Sequence, residues 1–183
     1  MVMGFRVRFR TGIAAQCRWM PALLLLLPAC RHMERTDRDG TKEMLTRERA
    51  TMMVRSLFAS YGVERPGLNA NDLGAGTIGE AALYFEYHSG EKSLLCSALI
   101  YKFPDDPKPG VLDAFYDEES RTSTGGGHLV YEKASKGIYL DRIYKLSLPD
   151  STFRADMEEL ARASVTWGND VLPRVAEKVF HPK

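Results

Sequence analysis

Two histidines and one acid–base pair are the residues of this sequence whose types could support catalysis. His88 ends an alternating aromatic stretch beside a turn, and His128 follows a run of glycines. Imidazole is the usual general acid or base near neutral pH, but a histidine at the exposed end of a strand is the commoner situation. Asp141 and Arg142 are adjacent in a strand pattern, so they point to opposite sheet faces and cannot act at one site. The sequence therefore predicts that the protein is not an enzyme.

Motifs for metals, cofactors and phosphates are absent from the sequence. The cysteines Cys17, Cys30 and Cys96 are irregularly spaced, and neither CxxC nor HExxH occurs. The glycines at 125–127 are followed by a strand pattern and by no Lys-Ser/Thr pair, whereas phosphates bind where a glycine loop opens a helix. We expect no metal and no cofactor, and we expect Cys96 to be a buried core residue.

Charge is distributed unevenly along the 183 residues, of which 44% are hydrophobic and 27% charged. Residues 1–30 carry four arginines and no acid, which leaves 21 basic and 24 acidic residues and a formal charge of −3 for the remainder. Nucleic-acid binding calls for a clustered basic face. The mildly acidic remainder has no such cluster, so we expect no nucleic-acid partner.

Residues 1–30 have the order of a secretion signal: a basic region, an apolar run at 19–27, then small residues and Cys30. The run is too short for a membrane-spanning helix, which needs about 20 apolar residues. The stretch Leu-Pro-Ala-Cys at 27–30 resembles a bacterial lipobox, with Pro28 as a departure, and it makes Cys30 a candidate lipidation site. The alternative is translation from Met33 or Met44, which would give a cytoplasmic protein. Both remain open, and a membrane is expected only through a lipid on Cys30.

The pattern after the leader predicts a charged tether at 31–43 and one domain at 44–183. Apolar residues at helical spacing predict a first helix at 44–61, and alternating residues predict strands. The expected elements are a helix at 44–61, a possible short strand at 73–78, strands at 81–88 and 93–103, a helix at 109–119, strands at 129–133 and 138–146, and a helix from Asp150 or Ser151 that breaks at 168–173. The strand at 93–103 is apolar on both faces and is expected to be central. This order, α-ββ(β)-α-ββ-α, predicts an α+β fold with helices packed on an antiparallel sheet.

Three acids end the second predicted helix: Asp117, Glu118 and Glu119. Negative charge at a helix C-terminus opposes the helix dipole. A solvated helix end and a binding surface are both compatible with this feature.

The order of elements resembles the type III secretion chaperone family, of the CesT/Tir chaperone type. The resemblance covers about residues 44–180. It is carried by the helix that ends at Tyr61-Gly62, the hairpin at 83–101 followed by the helix at 111–116, the late hairpin GGHLVY with GIYLDR at 126–142, and the last helix with Trp167. These are patterns of hydrophobicity without invariant chemistry.

The resemblance implies a non-enzymatic homodimer that binds an extended segment of a partner protein. The client contacts it implies lie on the first helix and one sheet face: Met53, Leu57, Phe58, Leu83, Phe85 and Ile100. The dimer surface it implies lies on the second helix: Val111, Leu112 and Phe115. The alternative is a membrane-anchored lipoprotein that uses the same fold for an unknown role in the cell envelope.

Overall fold

A computed structural model describes residues 43–64 and 67–181. The predicted leader and tether, with Cys30 and Met33, lie outside these residues apart from Glu43 at the tether's end. The described elements are α1 (Arg47–Ala59), β1 (Leu73–Ile78), β2 (Ala81–His88), β3 (Ser93–Lys102), α2 (Val111–Glu119), β4 (His128–Glu132), β5 (Gly137–Tyr144), α3 (Asp150–Thr166), a π-helical turn (Trp167–Val171) and α4 (Leu172–Phe180).

The strands form a five-stranded antiparallel sheet in the order β1-β2-β3-β5-β4. The predicted α+β class is therefore confirmed, the possible strand at 73–78 is present, and β3 is the central strand as expected. Gly79 and Glu80 connect β1 to β2 in a two-residue turn, and Gly79 adopts a φ of +58° that a residue with a side chain tolerates poorly.

The helix ends differ from the sequence expectation for local reasons. α1 begins at Arg47 because the Thr46 hydroxyl accepts a hydrogen bond from the Arg49 N–H at 3.2 Å, while Met44 forms a β-bridge with Leu146. The predicted cap of α3 at Asp150 or Ser151 is wrong. Pro149 occupies the cap position without a side-chain hydrogen bond, and the Asp150 carboxylate instead binds the Arg49 guanidinium at 2.7 Å.

One face of the sheet, called the inner face below, carries the core. Alternate residues of the strands point to it and are buried against α1 and α3. Phe58 of α1 meets Phe85 of β2 edge to face at 5.8 Å between ring centroids, and the Phe153 ring of α3 lies 6.5 Å from the Phe85 ring. Cys96 is fully buried here, as predicted.

The glycines at 125–127 allow the chain to approach α3 closely. A Cβ at Gly125, where φ is +61°, would lie 2.7 Å from the Glu159 carbonyl oxygen, and a Cβ at Gly127 would lie 2.9 Å from Leu160. Close approach of the backbone to α3 therefore accounts for glycine at positions 125 and 127.

The predicted break at 168–173 is confirmed as the π-helical turn between α3 and α4. It redirects the chain so that α4 packs against α2. Two of the three acids that end α2 pair with α4: Glu118 binds Arg174 at 2.8 Å and Asp117 binds Lys178 at 2.7 Å. The hydrogen bond from Lys178 holds the pKa of Asp117 below its usual range. The acidic helix end is thus paired within the chain.

Candidate functional site

The sheet face opposite the core, called the outer face, bears a groove of about 830 Å³. All five strands contribute outward-pointing side chains to it. The groove is lined by apolar and aromatic residues, which include Leu73, Ala75, Tyr84, Phe85, Leu95, Val130, Tyr131 and Tyr139, and by the ionisable residues Glu86, Glu132, Lys133 and Asp141. Exposed apolar surface arranged in a concavity, with a few polar groups, is the usual form of a binding site.

Two tyrosines cross the floor of the groove. Tyr84 on β2 and Tyr139 on β5 meet edge to face over the intervening strand, with 6.1 Å between ring centroids. The Tyr139 hydroxyl donates to the Ser135 hydroxyl at 3.0 Å, and its ring lies above Gly137, where a Cβ would approach within 2.4 Å. Tyr84 remains 43% exposed. The Tyr139 side chain is therefore fixed by its own contacts, whereas the Tyr84 ring is accessible to a ligand.

Asp141 lies in the middle of β5, directly opposite Ser97 of β3 and His128 of β4. Its Oδ1 is buried and has no hydrogen-bond partner among the described residues. Burial raises the pKa of Asp141 above its ordinary value, a hydrogen bond with Ser97 lowers it, and the nearby Glu132 carboxylate raises it further. The groove thus contains one carboxylate oxygen that is removed from water and has no described hydrogen-bond donor.

Arg142, the next residue in the strand, is by contrast a charged group that has partners within the fold. Its guanidinium lies on the inner face, 2.9 Å from the Asp156 carboxylate, and donates to the Gly125 carbonyl oxygen at 3.2 Å. The prediction that Asp141 and Arg142 point to opposite faces is confirmed. The strand therefore separates a guanidinium paired with a carboxylate on the core side from a carboxylate that has no cation among the described residues on the groove side.

One end of the groove is the edge strand β1. The Tyr87 N–H donates to the Asp72 carbonyl oxygen at 2.9 Å, so even-numbered residues of this segment bond to β2 and odd-numbered ones point away. Asn69 satisfies the outward groups of Leu73, at 3.1 Å to its N–H and 2.8 Å to its carbonyl oxygen. The outward N–H and carbonyl groups of Ala75 and Thr77 face no described strand, which leaves an edge available for pairing.

The residues proposed as client contacts lie mainly on the opposite side of the sheet, although Phe85 also borders the groove. Met53, Leu57, Phe58, Leu83 and Phe85 are 0 to 2% exposed, and Ile100, at an irregularity in the β3–β5 pairing, is partly buried against the same core. Their contact with a client stays a prediction, but their surfaces are taken up by one another. The strand residues that alternate with Leu83 and Phe85 point to the outer face, and that face is open: Tyr84, for example, is 43% exposed.

The residues proposed as a dimer surface are covered by the same chain. Val111 and Phe115 are buried, Leu112 is partly buried, and Phe115 stacks on Trp167 with 6.4 Å between ring centroids. α4 lies against this helix, as described above. Dimerisation through α2 stays a prediction, and any such contact would have to use the more exposed side of α2, around Tyr116.

The two candidate histidines do not form a site together. The His128 imidazole is largely exposed, with Nδ1 3.9 Å from the Glu119 carboxylate, and His88 is at the far end of β2, opposite Ser93. In the described part of the chain, no group of three acidic, histidine or cysteine side chains could hold a metal ion. Nor does any helix there have the length and apolar character to cross a bilayer.

Comparison with solved structures identifies the fold. The crystal structure of the ExsC–ExsE complex contains a chain that matches with a TM-score of 0.55 and 13% identity, over 69% of this chain and 96% of that one. The structure of the HopA1–SchA chaperone–effector complex matches with a TM-score of 0.51 and 14% identity, over 67% of this chain and 94% of that one. No protein-family model and no curated protein matches the sequence. The likeness therefore establishes a shared fold.

Proposed function

We propose that the protein is a non-enzymatic, chaperone-like binding module that holds an extended segment of a partner protein in the outer-face groove. The observation that supports this most directly is the groove itself, which crosses every strand of the sheet and reaches the open edge of β1. Both structural neighbours were solved as complexes, one of them described as chaperone with effector, which makes a protein partner the natural class of ligand for this fold.

The dimensions of the groove suit a peptide. Neighbouring strands lie about 4.8 Å apart, so crossing five of them spans roughly 19 Å, which an extended chain covers in about six residues. A segment that crosses the sheet in this way would lay apolar side chains against Tyr84, Leu95 and Val130. The residues next to that segment could pair with the outward groups of Ala75 and Thr77 at the β1 edge.

A selection from a displayed random-peptide library, with the full chain immobilised, tests this function. We expect extended, apolar-rich peptides to be recovered and the Tyr84→Ala variant to bind them roughly tenfold more weakly, the usual effect of truncating an aromatic contact at the centre of an interface. The matched control is Tyr116→Ala. Tyr116 lies on α2, away from the groove, and is 44% exposed against 43% for Tyr84.

Recovery of no peptide, or recovery of peptides whose affinity falls equally in both tyrosine variants, would contradict the proposal. Ala75→Pro gives a second, independent reading. Proline there removes one outward N–H and no bond to β2, so it should weaken peptides that pair with the β1 edge and leave the fold intact.

We infer two alternatives for the compartment in which this binding takes place. A lipid on Cys30 would make the protein a membrane-anchored lipoprotein, and translation from Met33 or Met44 would make it cytoplasmic. Intact-mass spectrometry of the protein purified from its own cells separates them. A mature chain that begins with an acylated Cys30 supports the anchored form, and an unmodified chain beginning at Met33 or Met44 supports the cytoplasmic form.

A further inference from the structure

We propose that the Asp141 carboxylate is the recognition point for a lysine or arginine side chain of the bound segment, so that the groove selects segments in which a basic residue is flanked by apolar ones. This inference rests on the proposed function and specifies the chemistry of its partner.

The first support is the unmatched oxygen of Asp141. Removing a carboxylate from water is costly unless a cation or hydrogen-bond donors replace the water. The fold provides such a cation for Asp156, whose partner Arg142 is 2.9 Å away, but the described residues provide none for Asp141 Oδ1. Ser97 forms a hydrogen bond with this carboxylate, and a basic side chain entering the groove would add the cation that the described residues do not supply.

The second support is the charge of the lining. Glu86, Glu132 and Asp141 are acidic, Lys133 is the single basic residue among the lining residues, and none of the three acids forms a salt bridge in the described part of the chain. Like charges in a concavity reinforce one another's potential. The groove is thus complementary to a positively charged segment and repels an acidic one.

The third support is the surroundings of the carboxylate. Tyr139 precedes Asp141 by two residues on the same face, and Tyr84 meets its ring at 6.1 Å. Aromatic faces attract ammonium and guanidinium groups and accommodate the aliphatic stem of a long basic side chain. Leu95 on β3 and Val130 on β4 lie on either side of this position, where apolar neighbours of the basic residue would pack.

The test uses the displayed random-peptide library and the full chain. We expect the recovered peptides to be enriched in Lys or Arg between apolar residues and depleted in Asp and Glu. In the tightest peptide, changing the basic residue to Met should lower affinity roughly tenfold on the wild-type protein. The same change should lower affinity much less on the Asp141→Asn variant, because that variant has already lost the charge pair. The control is Asp113→Asn, which changes an exposed acid on α2 and should behave as wild type.

A structural role for Asp141 is separated from a binding role by thermal denaturation. If Asp141 selects the ligand, Asp141→Asn weakens peptide binding without lowering the melting temperature. Loss of binding together with a lowered melting temperature would overturn the proposal. Additive effects on the binding free energy of the Met change in the peptide and of Asp141→Asn in the protein would overturn it as well.

Failures of the two proposals are distinguishable. Peptides that depend on Tyr84 but show no basic preference leave the binding function standing and refute the inference, whereas recovery of no peptide refutes both. Self-association of the wild-type chain in sedimentation that disappears in Tyr84→Ala would assign the groove to a second copy, which also refutes the inference.

Discussion

The contact between Gly76 and Phe58 provides the sharpest test of how β1 is seated. Gly76 lies in the middle of β1, and a Cβ added there would be 2.3 Å from two atoms of the Phe58 ring. That ring is 1% exposed and fixed by its edge-to-face contact with Phe85, so it cannot swing aside into solvent. We expect Gly76→Ala to destabilise the protein.

The expected magnitude follows from two opposing effects. Alanine restricts the unfolded chain, which by itself would stabilise the protein by about 0.4 to 1 kcal/mol. Overpacking a well-filled core costs typically 1–3 kcal/mol, and a 2.3 Å approach to a constrained ring belongs at the upper end of that range. The net expectation is a loss of about 2 kcal/mol, or roughly 4–8 °C in melting temperature for a chain of this size.

Urea unfolding of four proteins measures this coupling: wild type, Gly76→Ala, Phe58→Leu and the double variant. Leucine is shorter than phenylalanine, so it should relieve the overlap, and alanine at position 76 should cost at least about 1 kcal/mol less in that background. Gly90→Ala is the matched control, since nothing lies within 4 Å of a Cβ there.

A neutral or stabilising Gly76→Ala in the wild-type background would refute the reasoning. Additive effects in the double variant would also refute it, because they would show that the ring of Phe58 is not the group that excludes a side chain from β1.

Three further substitutions test the charges and hydrogen bonds on either side of the sheet. Burial raises the pKa of Asp141, so the folded protein binds this proton more tightly than the unfolded one, and the stabilisation is present below the ordinary pKa and lost as the pH rises through the folded pKa. Asp141→Asn should therefore raise the melting temperature at pH 7, by an amount that shrinks towards pH 3. Trp167→Phe removes the indole N–H that donates to the Ser123 carbonyl oxygen at 2.9 Å and leaves a void in the core, because Trp167 is fully buried. It should lower the free energy of unfolding by at least about 1 kcal/mol in urea titrations. Arg142→Met leaves the partly buried Asp156 carboxylate without its cation and should cost about 2–3 kcal/mol by the same measurement.

Each of these has a contrary outcome. A melting temperature of Asp141→Asn that tracks wild type at every pH would show that the carboxylate is not desolvated. Trp167→Phe as stable as wild type would mean that the Ser123 hydrogen bond contributes nothing net. If Arg142→Met is rescued by Asp156→Asn, the cost lies in the unpaired acid, and if it is not, the cost lies in lost packing.

The fold was accessible from the sequence because each element carries its own local signal. Alternation in β2 and the two-faced apolar run of β3 specify strands and the central position of β3. The bounds of α1 and the cap of α3 were less accessible, since they depend on whether Thr46 and Asp150 bond to their own helix or to a distant residue such as Arg49.

The binding groove was less accessible than the fold. Met53, Phe58 and Phe85 attract attention as large apolar residues, yet large apolar residues on an amphipathic element are those most expected to be buried. The signal for the outer face was weaker: Tyr84 is an exposed aromatic residue in the alternation of β2, and Asp141 is an acid inside an otherwise apolar strand.

The amino-acid pattern by itself determined that Asp141 and Arg142 face opposite ways, because the two-residue period of a strand is a local property of the backbone. Only the tertiary structure decided which of them has a partner of opposite charge. The helix that supplies Asp156 packs on one face of the sheet, and in the described residues none packs on the other. Whether a charge has a partner depends on contacts between residues far apart in the chain, which no local period encodes, and this is why the groove and its carboxylate emerge only once the strands are paired and the helices placed.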